Sequence, residues 1–255
     1  MNHIVALSGG KDSCATAFKL KELHPEYDPY YVCTPTGSEL PEMKEHWANL
    51  ECMLGKKLTN VTDLTMRDLI RKHNMLPNWR ARFCTVTIKI HRFQKWLTEH
   101  TPATVYIGLR ADEEDREGGI YDSIPNVEVR FPLRELGMEK KDVIAYCQGL
   151  GIKIPQRTDC YQCFFQTMSE WWRLWKDYPE LFEEAVQDEV YVSAVRGKKC
   201  TFRNEHKDKW ATSLADLRAE FESGKIPKNY RGIPANQTIF DMEEERDGMC
   251  SFCAR

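Results

Sequence analysis

The stretch Ser8-Gly9-Gly10-Lys11-Asp12-Ser13 decides the fold of this chain. It follows the apolar run Ile4-Val5-Ala6-Leu7, which is typical of a strand buried on both faces of a parallel sheet. Two adjacent glycines let the backbone turn tightly and point successive N–H groups outward, and the N-terminus of a following helix adds partial positive charge. The stretch therefore predicts a strand, a phosphate-binding loop and a helix in succession.

Segments with strand and helix patterns alternate along the first 155 residues. Strands are predicted at 4–7, 30–33, 58–61, 104–108 and 127–131, and helices at 14–23, 43–54, 66–73, 87–100 and 142–150. This alternation predicts an α/β fold, a parallel twisted sheet with flanking helices. The pattern changes near Pro155, so we expect a nucleotide-binding domain at 1–157 and a smaller, mainly helical, cysteine-bearing region at 158–255.

Composition narrows the class of protein. The chain has 255 residues, of which 42% are hydrophobic, enough for a substantial core. It has no apolar stretch of about 18 residues and no pattern of an export signal, so we expect a cytoplasmic protein without a membrane partner. Ten cysteines in a reducing compartment favour metal or redox chemistry over disulfides. The net charge of −3 argues against non-specific coating of nucleic acid.

Positive charge is nevertheless concentrated in one segment, from Arg67 to Lys95. The segment holds eight lysines and arginines against a single acid, Asp68. Such a segment suits a polyphosphate or a nucleic-acid backbone, so a nucleic-acid acceptor is one possible partner; a solvated helix face is the alternative.

Further motifs follow the phosphate loop along the chain. In chain order the set is Ser8 to Ser13, Thr36-Gly37-Ser38-Glu39-Leu40-Pro41-Glu42, Arg82-Phe83-Cys84-Thr85 with Lys89, Gly108-Leu109-Arg110-Ala111-Asp112-Glu113 with Arg116, and Phe131-Pro132-Leu133 with Asp142-Val143. These motifs resemble the PP-loop adenine nucleotide alpha-hydrolase superfamily and, within it, the phosphoadenosine-phosphosulfate (PAPS) reductase family. One departure is the C-terminus, Met249-Cys250-Ser251-Phe252-Cys253-Ala254-Arg255, where thioredoxin-dependent PAPS reductases carry an E-C-G-L-H segment.

The resemblance implies an adenine nucleotide, ATP or PAPS, with Mg2+. The nucleotide-binding residues that it implies are Ser8, Gly9, Gly10, Lys11, Ser13, Thr36, Gly37, Glu39, Arg110 and Arg116. Lys11 and Arg110 would neutralise charge during catalysis, and Asp12 would orient magnesium. Cys84, between basic residues that favour a thiolate, would act on sulfur.

Two Cys-x-x-Cys pairs predict a metal site. Zinc would be bound by four thiolates in a closed structural site, those of Cys160, Cys163, Cys250 and Cys253. A [4Fe-4S] cluster would instead take Cys84, Cys160 and Cys163 with one of the two terminal cysteines. We favour the cluster, by analogy with cluster-bearing relatives of this superfamily.

Three functions are compatible with these features. The first is adenylation-dependent sulfur transfer, in which a cluster or a reactive cysteine supplies sulfur, with a sulfur donor or reductant protein as partner. The second is an oxidoreductase that attacks adenylyl sulfate (APS) or PAPS and releases sulfite. The third is a zinc-stabilised nucleotide-binding module without catalysis.

Overall fold

A computed structural model of the protein describes residues 1–116, 121, 123–203 and 209–228. Within these residues five parallel strands form one sheet in the order β3-β2-β1-β4-β5. The strands are β1 Asn2–Ala6, β2 Tyr30–Cys33, β3 Thr59–Asn60, β4 Ala103–Tyr106 and β5 Val127–Arg130. The predicted α/β fold with a parallel sheet is confirmed.

Helices cover the sheet and make up the region after it. They are α1 Lys11–Leu23, α2 Pro41–Leu54, α3 Met66–His73, α4 His91–Thr98, α5 Pro132–Glu135, α6 Lys140–Gly149, α7 Met168–Asp177, α8 Pro179–Arg196 and α9 Leu214–Glu222. A π-helical segment, Cys84–Ile90, leads directly into α4, where the sequence predicts one helix from residue 87 to 100. None of the helices among the described residues is long and apolar enough to cross a membrane.

Helix α3 illustrates how local sequence sets a boundary. The Thr65 hydroxyl accepts from the Asp68 N–H, and the Asp68 carboxylate accepts from the Thr65 N–H at 2.8 Å, which is a capping box. Asn74 ends the helix in the left-handed region, with φ 48°. The predicted bounds of this helix, 66–73, are confirmed.

Three apolar clusters hold the molecule together. One joins β1 to α1 and α6, and a second joins the other sheet face to α4. In the third, Trp171 and Phe182 of the C-terminal helices pack with Leu40, Met66 and Ile70. Trp171 is fully buried and Trp172 is 6% exposed, so both rings belong to the core. The domain boundary at 157 stays a prediction, since this third cluster draws residues from both sides of it.

Ion pairs also fasten α3 to α8. The Asp188 carboxylate is fully buried and lies 2.9 Å from Arg71 Nη2 and 3.5 Å from Arg67 Nε. Arg67 also pairs with Glu184 at 3.0 Å. Arg67 and Arg71 of the predicted basic segment are thus committed to contacts with α8, and Arg92 of the same segment pairs with Asp63 at 2.9 Å.

Candidate nucleotide and cysteine site

The strand order places a crevice beside β1. From β1 the chain runs to β2 and β3 on one side and then crosses to β4 on the other side. In open parallel sheets ligands bind at such a reversal, outside the carboxyl ends of the strands. The loops that follow β1, β2 and β4 carry the predicted nucleotide-binding residues, so the fold gathers them at one edge.

The loop after β1 is held by its own serines. The Ser13 hydroxyl donates to the Gly10 carbonyl at 2.9 Å and accepts from the Gly9 N–H at 3.2 Å. The Ser8 hydroxyl lies 3.1 Å from that of Ser13 and accepts from the Gly10 N–H at 3.3 Å. Gly9 has φ +93°, which favours glycine. The loop ends at the N-terminus of α1, the arrangement that binds anions.

A buried charge cluster lies where this loop enters α1. Lys11 Nζ is 3.3 Å from the Asp12 carboxylate, and Arg110 Nη1 is 3.1 Å from it. All three residues are less than 5% exposed. Burial raises the pKa of Asp12 above its ordinary value, although Lys11 and Arg110 oppose the shift. The cluster brings together three of the four predicted catalytic residues.

Acidic residues of the loop after β4 orient Arg110. Its Nε donates to Asp112 at 2.9 Å, and its backbone N–H donates to Glu113 at 3.1 Å. Arg116 lies in the same loop, with Nη1 2.5 Å from Glu113. Arg134 donates to the carbonyls of this loop, one of them that of Arg116 at 2.6 Å. Cations and carboxylates therefore alternate around the crevice.

Gly108 allows β4 to approach α1 closely. A Cβ at this position would lie 2.7 Å from the Asp12 carbonyl carbon and 2.9 Å from the Ser13 nitrogen. Both are backbone atoms, so no rotamer change relieves the contact. The absence of a side chain at Gly108 is what lets Arg110 reach Asp12.

Helix α2 holds the phosphate loop from outside. His46 Nε2 donates to the Gly9 carbonyl at 2.8 Å, and Trp47 Nε1 donates to the Ser8 carbonyl at 3.0 Å. A carbonyl only accepts, so Nε2 of His46 carries the proton, and burial lowers the pKa of His46. Sequence reasoning missed both residues, because a single histidine and a single tryptophan in a helix carry no signal of a loop contact.

The segment after β2 connects the crevice to the cysteines. The Glu39 carboxylate accepts from the Thr36 N–H at 2.5 Å, the Thr36 hydroxyl at 2.7 Å and the Gly37 N–H at 3.0 Å. The Thr36 hydroxyl also lies 2.9 Å from Cys160 Sγ. Glu39 thus shapes this loop from within, while Thr36 faces the Cys-x-x-Cys pair.

Three cysteines, Cys84, Cys160 and Cys163, line one pocket, part of which is open to solvent. Cys250 and Cys253, the other predicted ligands, lie outside the described residues. Across the part of the chain that the structure describes, no group of three or more His, Cys, Asp or Glu side chains is arranged to hold a metal ion. The fold therefore gathers three of the five predicted sulfur ligands without forming a coordination geometry.

The thiols of the pair are shielded from water. Burial raises the pKa of Cys160 well above its ordinary value, and Lys89 opposes this shift. Burial and the nearby Asp159 raise the pKa of Cys163 to about 12. Both are neutral thiols near pH 7, so a metal ion or cluster that binds them must displace their protons.

Buried Arg157 supports the loop that carries the pair. Its guanidinium donates to Asp159 through Nε at 2.9 Å and Nη2 at 3.0 Å, and to Gln166 at 3.0 Å. Nη2 also donates to the Cys160 carbonyl at 3.3 Å. No sequence signal separated Arg157 from the many exposed arginines.

The family comparison agrees with this geometry. The model of the phosphoadenosine phosphosulfate reductase domain matches residues 2–156, which include the phosphate loop, the segment after β2 and the loop after β4. The chain belongs to the PAPS reductase family. The match ends just before the Cys-x-x-Cys pair.

Two solved structures are similar to this PAPS reductase family chain at low sequence identity. One is the U34-tRNA thiolase NcsA from Methanococcus maripaludis with its [4Fe-4S] cluster, at 18% identity and a TM-score of 0.47, covering 84% of this chain and 77% of that one. Another is a predicted subunit of tRNA methyltransferase from Methanocaldococcus jannaschii, at 18% identity and a TM-score of 0.38, covering 82% and 94%. No curated protein sequence matches the chain.

Proposed function

We propose that this PAPS reductase family protein binds ATP or a related adenylate at the phosphate loop and uses it for adenylation-dependent sulfur transfer. The observation that carries the proposal is the buried cluster of Lys11, Asp12 and Arg110 at the N-terminus of α1. Buried charges are costly unless they have a partner or a ligand, and this cluster lies where the strand order opens a crevice.

Each residue of the proposed nucleotide site has a separate role in binding. The phosphate loop from Ser8 to Ser13 and the N-terminus of α1 hold the phosphates, and Lys11 neutralises them. Gly9, Gly10 and Ser13 bind directly only by exchanging their hydrogen bonds within the loop for bonds to the phosphates. Arg110 and Arg116 face the same charge from the β4 side. Thr36 and Gly37 border the adenosine, and Glu39 fixes their positions. Mg2+, oriented by Asp12, balances the remaining phosphate charge.

The chemistry then needs positioning and charge neutralisation. An oxygen of the acceptor attacks the α-phosphorus of ATP, the bond to the β-phosphate oxygen breaks, and pyrophosphate leaves with its electron pair. The sulfur donor protein next loads Cys84 as a persulfide, whose outer sulfur attacks the adenylated carbon and displaces AMP. A thiol of a reductant protein then cleaves the remaining S–S bond, which releases the thiolated product and leaves a disulfide between Cys84 and that thiol. The product is a thiolated nucleic acid or small molecule.

The cysteine pocket suits an iron–sulfur cluster by the chemistry of its donors, because three cysteines line it. Cys84, Cys160 and Cys163 would hold it together with Cys250 or Cys253. When bound, the cluster would supply an iron–sulfur centre that carries sulfur. Zinc at Cys160, Cys163, Cys250 and Cys253 is the alternative, and it would leave Cys84 as a free thiol.

Membership of the PAPS reductase family favours a second candidate, reduction of APS or PAPS. There a cysteine thiolate attacks the sulfate sulfur, sulfite is released after a second thiol resolves the intermediate, and AMP or its 3′-phosphate leaves. Cys250 and Cys253 would supply the two thiols. The two reactions differ in their products, pyrophosphate in one and sulfite in the other.

The test uses full-length protein purified without oxygen, with iron, sulfide and zinc measured on the same sample. We expect ATP, Mg2+, a sulfur source and an acceptor, offered as a nucleic acid or as a small molecule in separate reactions, to yield AMP and pyrophosphate, detected by phosphorus NMR. Lys11→Ala should lose nucleotide affinity, while Lys19→Ala, on the outer face of the same helix, should keep it. Sulfite from APS or PAPS, without pyrophosphate from ATP, would replace the proposal by the second candidate. Zinc without turnover would leave a binding module.

A further inference from the structure

Aromatic and cationic side chains lie in the lining of the cysteine pocket and in the turn that precedes Arg82. We define this aromatic and cationic surface by Trp79, Arg80, Arg82, Lys89 and Phe165. Arg82, Lys89 and Phe165 line the pocket itself. Trp79 and Arg80 belong to the turn between Pro77, which also lines the pocket, and Arg82. The surface is therefore continuous with the space that holds the three cysteines.

The turn that carries Trp79 is ordered by its own hydrogen bonds. Asn78 and Ala81 exchange backbone hydrogen bonds at 3.3 and 3.0 Å. The Asn78 side chain accepts from the N–H groups of Arg80 and Ala81 at 3.0 and 3.1 Å. Trp79 and Arg80 are thus presented at the tip of a fixed turn, and Trp79 remains 58% exposed.

The chemistry of the tip is that of a stacking platform. The Arg80 guanidinium lies 4.5 Å from the centroid of the Trp79 ring, which leaves a flat ring beside a cation. An exposed tryptophan is costly in water, and nothing in the third apolar cluster covers this one. Phe165, 37% exposed, places a second ring at the pocket.

The charge of the surface selects its partner. Between Asp68 and Glu99 the sequence contains no acidic residue, and Arg82 and Lys89 line the pocket with one carboxylate, that of Asp159, so the cations of the surface outnumber the acids. Arg67 and Arg71, earlier in the segment, form ion pairs with α8 and do not belong to this surface. Rings that stack and cations that meet phosphates are the features by which proteins bind single-stranded nucleic acid.

We propose that this surface binds a single-stranded segment of nucleic acid and delivers one of its bases toward the cysteine pocket. A duplex keeps its bases paired and stacked, so it offers neither a base for Trp79 nor one for the pocket. The binding of this nucleic acid does not depend on the proposed function. The further statement that the nucleic acid is also the sulfur acceptor rests on the proposed function.

Binding is measured with the full chain by fluorescence anisotropy of a labelled single-stranded oligonucleotide of mixed sequence. The same sequence as a duplex and labelled poly-glutamate serve as competitors. We expect the single strand to bind best, with affinity that falls between about 50 and about 200 mM salt. Equal or tighter binding of the duplex, or of poly-glutamate as a mimic of an acidic protein, would overturn the proposal.

Exposed variants locate the contact. Trp79→Ala should weaken binding by about 5-fold to 150-fold, the range of stacking one base, and Trp79→Phe should restore most of it. Arg80→Ala should reduce the slope of log affinity against log salt by about 0.7, the value for one phosphate contact to a single strand. Lys57→Ala, an exposed lysine just before β3 and so at the amino edge of the sheet, is the matched cation control and should change neither.

ATP affinity is measured on the same samples to separate the two proposals. Loss of oligonucleotide binding to Trp79→Ala with ATP affinity unchanged supports the surface. Unchanged oligonucleotide binding in both Trp79→Ala and Arg80→Ala refutes it and leaves the nucleotide site standing. Failure of the wild type to bind ATP refutes the proposed function alone.

Discussion

Replacing Gly108 by alanine should disrupt the contact between β4 and α1. The new Cβ would lie 2.7 Å from the Asp12 carbonyl carbon, 2.8 Å from its oxygen and 2.9 Å from the Ser13 nitrogen. The φ of Gly108 is outside the left-handed region, so the effect is steric and not conformational. Since the clashing atoms are backbone, β4 and the first turn of α1 must separate.

The magnitude follows from two costs. Inserting one carbon into a closely packed interior typically costs about 1–3 kcal/mol of unfolding free energy. Separation also withdraws Arg110 from Asp12 and shifts the N–H groups of the loop. A hydrogen bond to a charged group contributes about 1.5–3 kcal/mol, so the loss of one such bond should weaken nucleotide binding about tenfold or more.

The matched control is Gly149→Ala. Gly149 is the last residue of α6 and has no positive φ, and a Cβ added there would meet no atom within 4 Å. Alanine at this position should therefore be neutral or stabilise by about 0.5–1 kcal/mol. Urea unfolding and calorimetric titration with ATP measure both quantities. If Gly108→Ala and Gly149→Ala have the same unfolding free energy and the same ATP affinity, the close contact between position 108 and the backbone of Asp12 and Ser13 is refuted.

Two further predictions concern buried side chains. Burial raises the pKa of Glu189 to about 7, although its carboxylate accepts from the N–H groups of Leu214 and Phe202. Between the ordinary pKa of Glu189 and this raised pKa, the folded state holds a proton that the unfolded state releases. The unfolding free energy should therefore fall, by at most about 3 kcal/mol, as pH rises from about 4.5 to about 7. Urea titrations measure this pH dependence, and Glu189→Gln should remove it. His46→Phe should leave the Gly9 carbonyl without its donor, lower the unfolding free energy by about 1–3 kcal/mol and weaken ATP binding. His46→Gln should recover part of the stability and part of the affinity. Equal ATP affinities of the two variants would contradict a role for this hydrogen bond.

Local signals explain what the sequence predicted well. The strand Tyr30–Cys33 and the helix Met66–His73 have the predicted bounds. Both are marked by neighbouring residues, the helix by its capping box and the strand by its apolar run. The phosphate loop is equally local, because strand, glycines and helix start follow one another directly.

Contacts between segments that are distant in the sequence explain which parts of the site the sequence did not predict. Thr36 meets Cys160 across 124 positions, and Arg71 meets Asp188 across 117. Neither pair has a spacing or a composition that marks it in one sequence. The basic segment shows the consequence: composition alone assigned all eight cations to one surface, whereas tertiary pairing commits two of them to the attachment of α8.

The segment after β2 links the two parts of the proposed site through bonds that share one side chain. Thr36 donates its hydroxyl to Glu39 and contacts Cys160 with the same oxygen. Glu39 forms a bridge with Cys160, and α2, which begins two residues later, holds the phosphate loop through His46. Thr36 is 1% exposed, so it has no room to move without breaking one of these contacts. A nucleotide that orders this segment therefore also fixes the position of the Cys160 thiol relative to its phosphates.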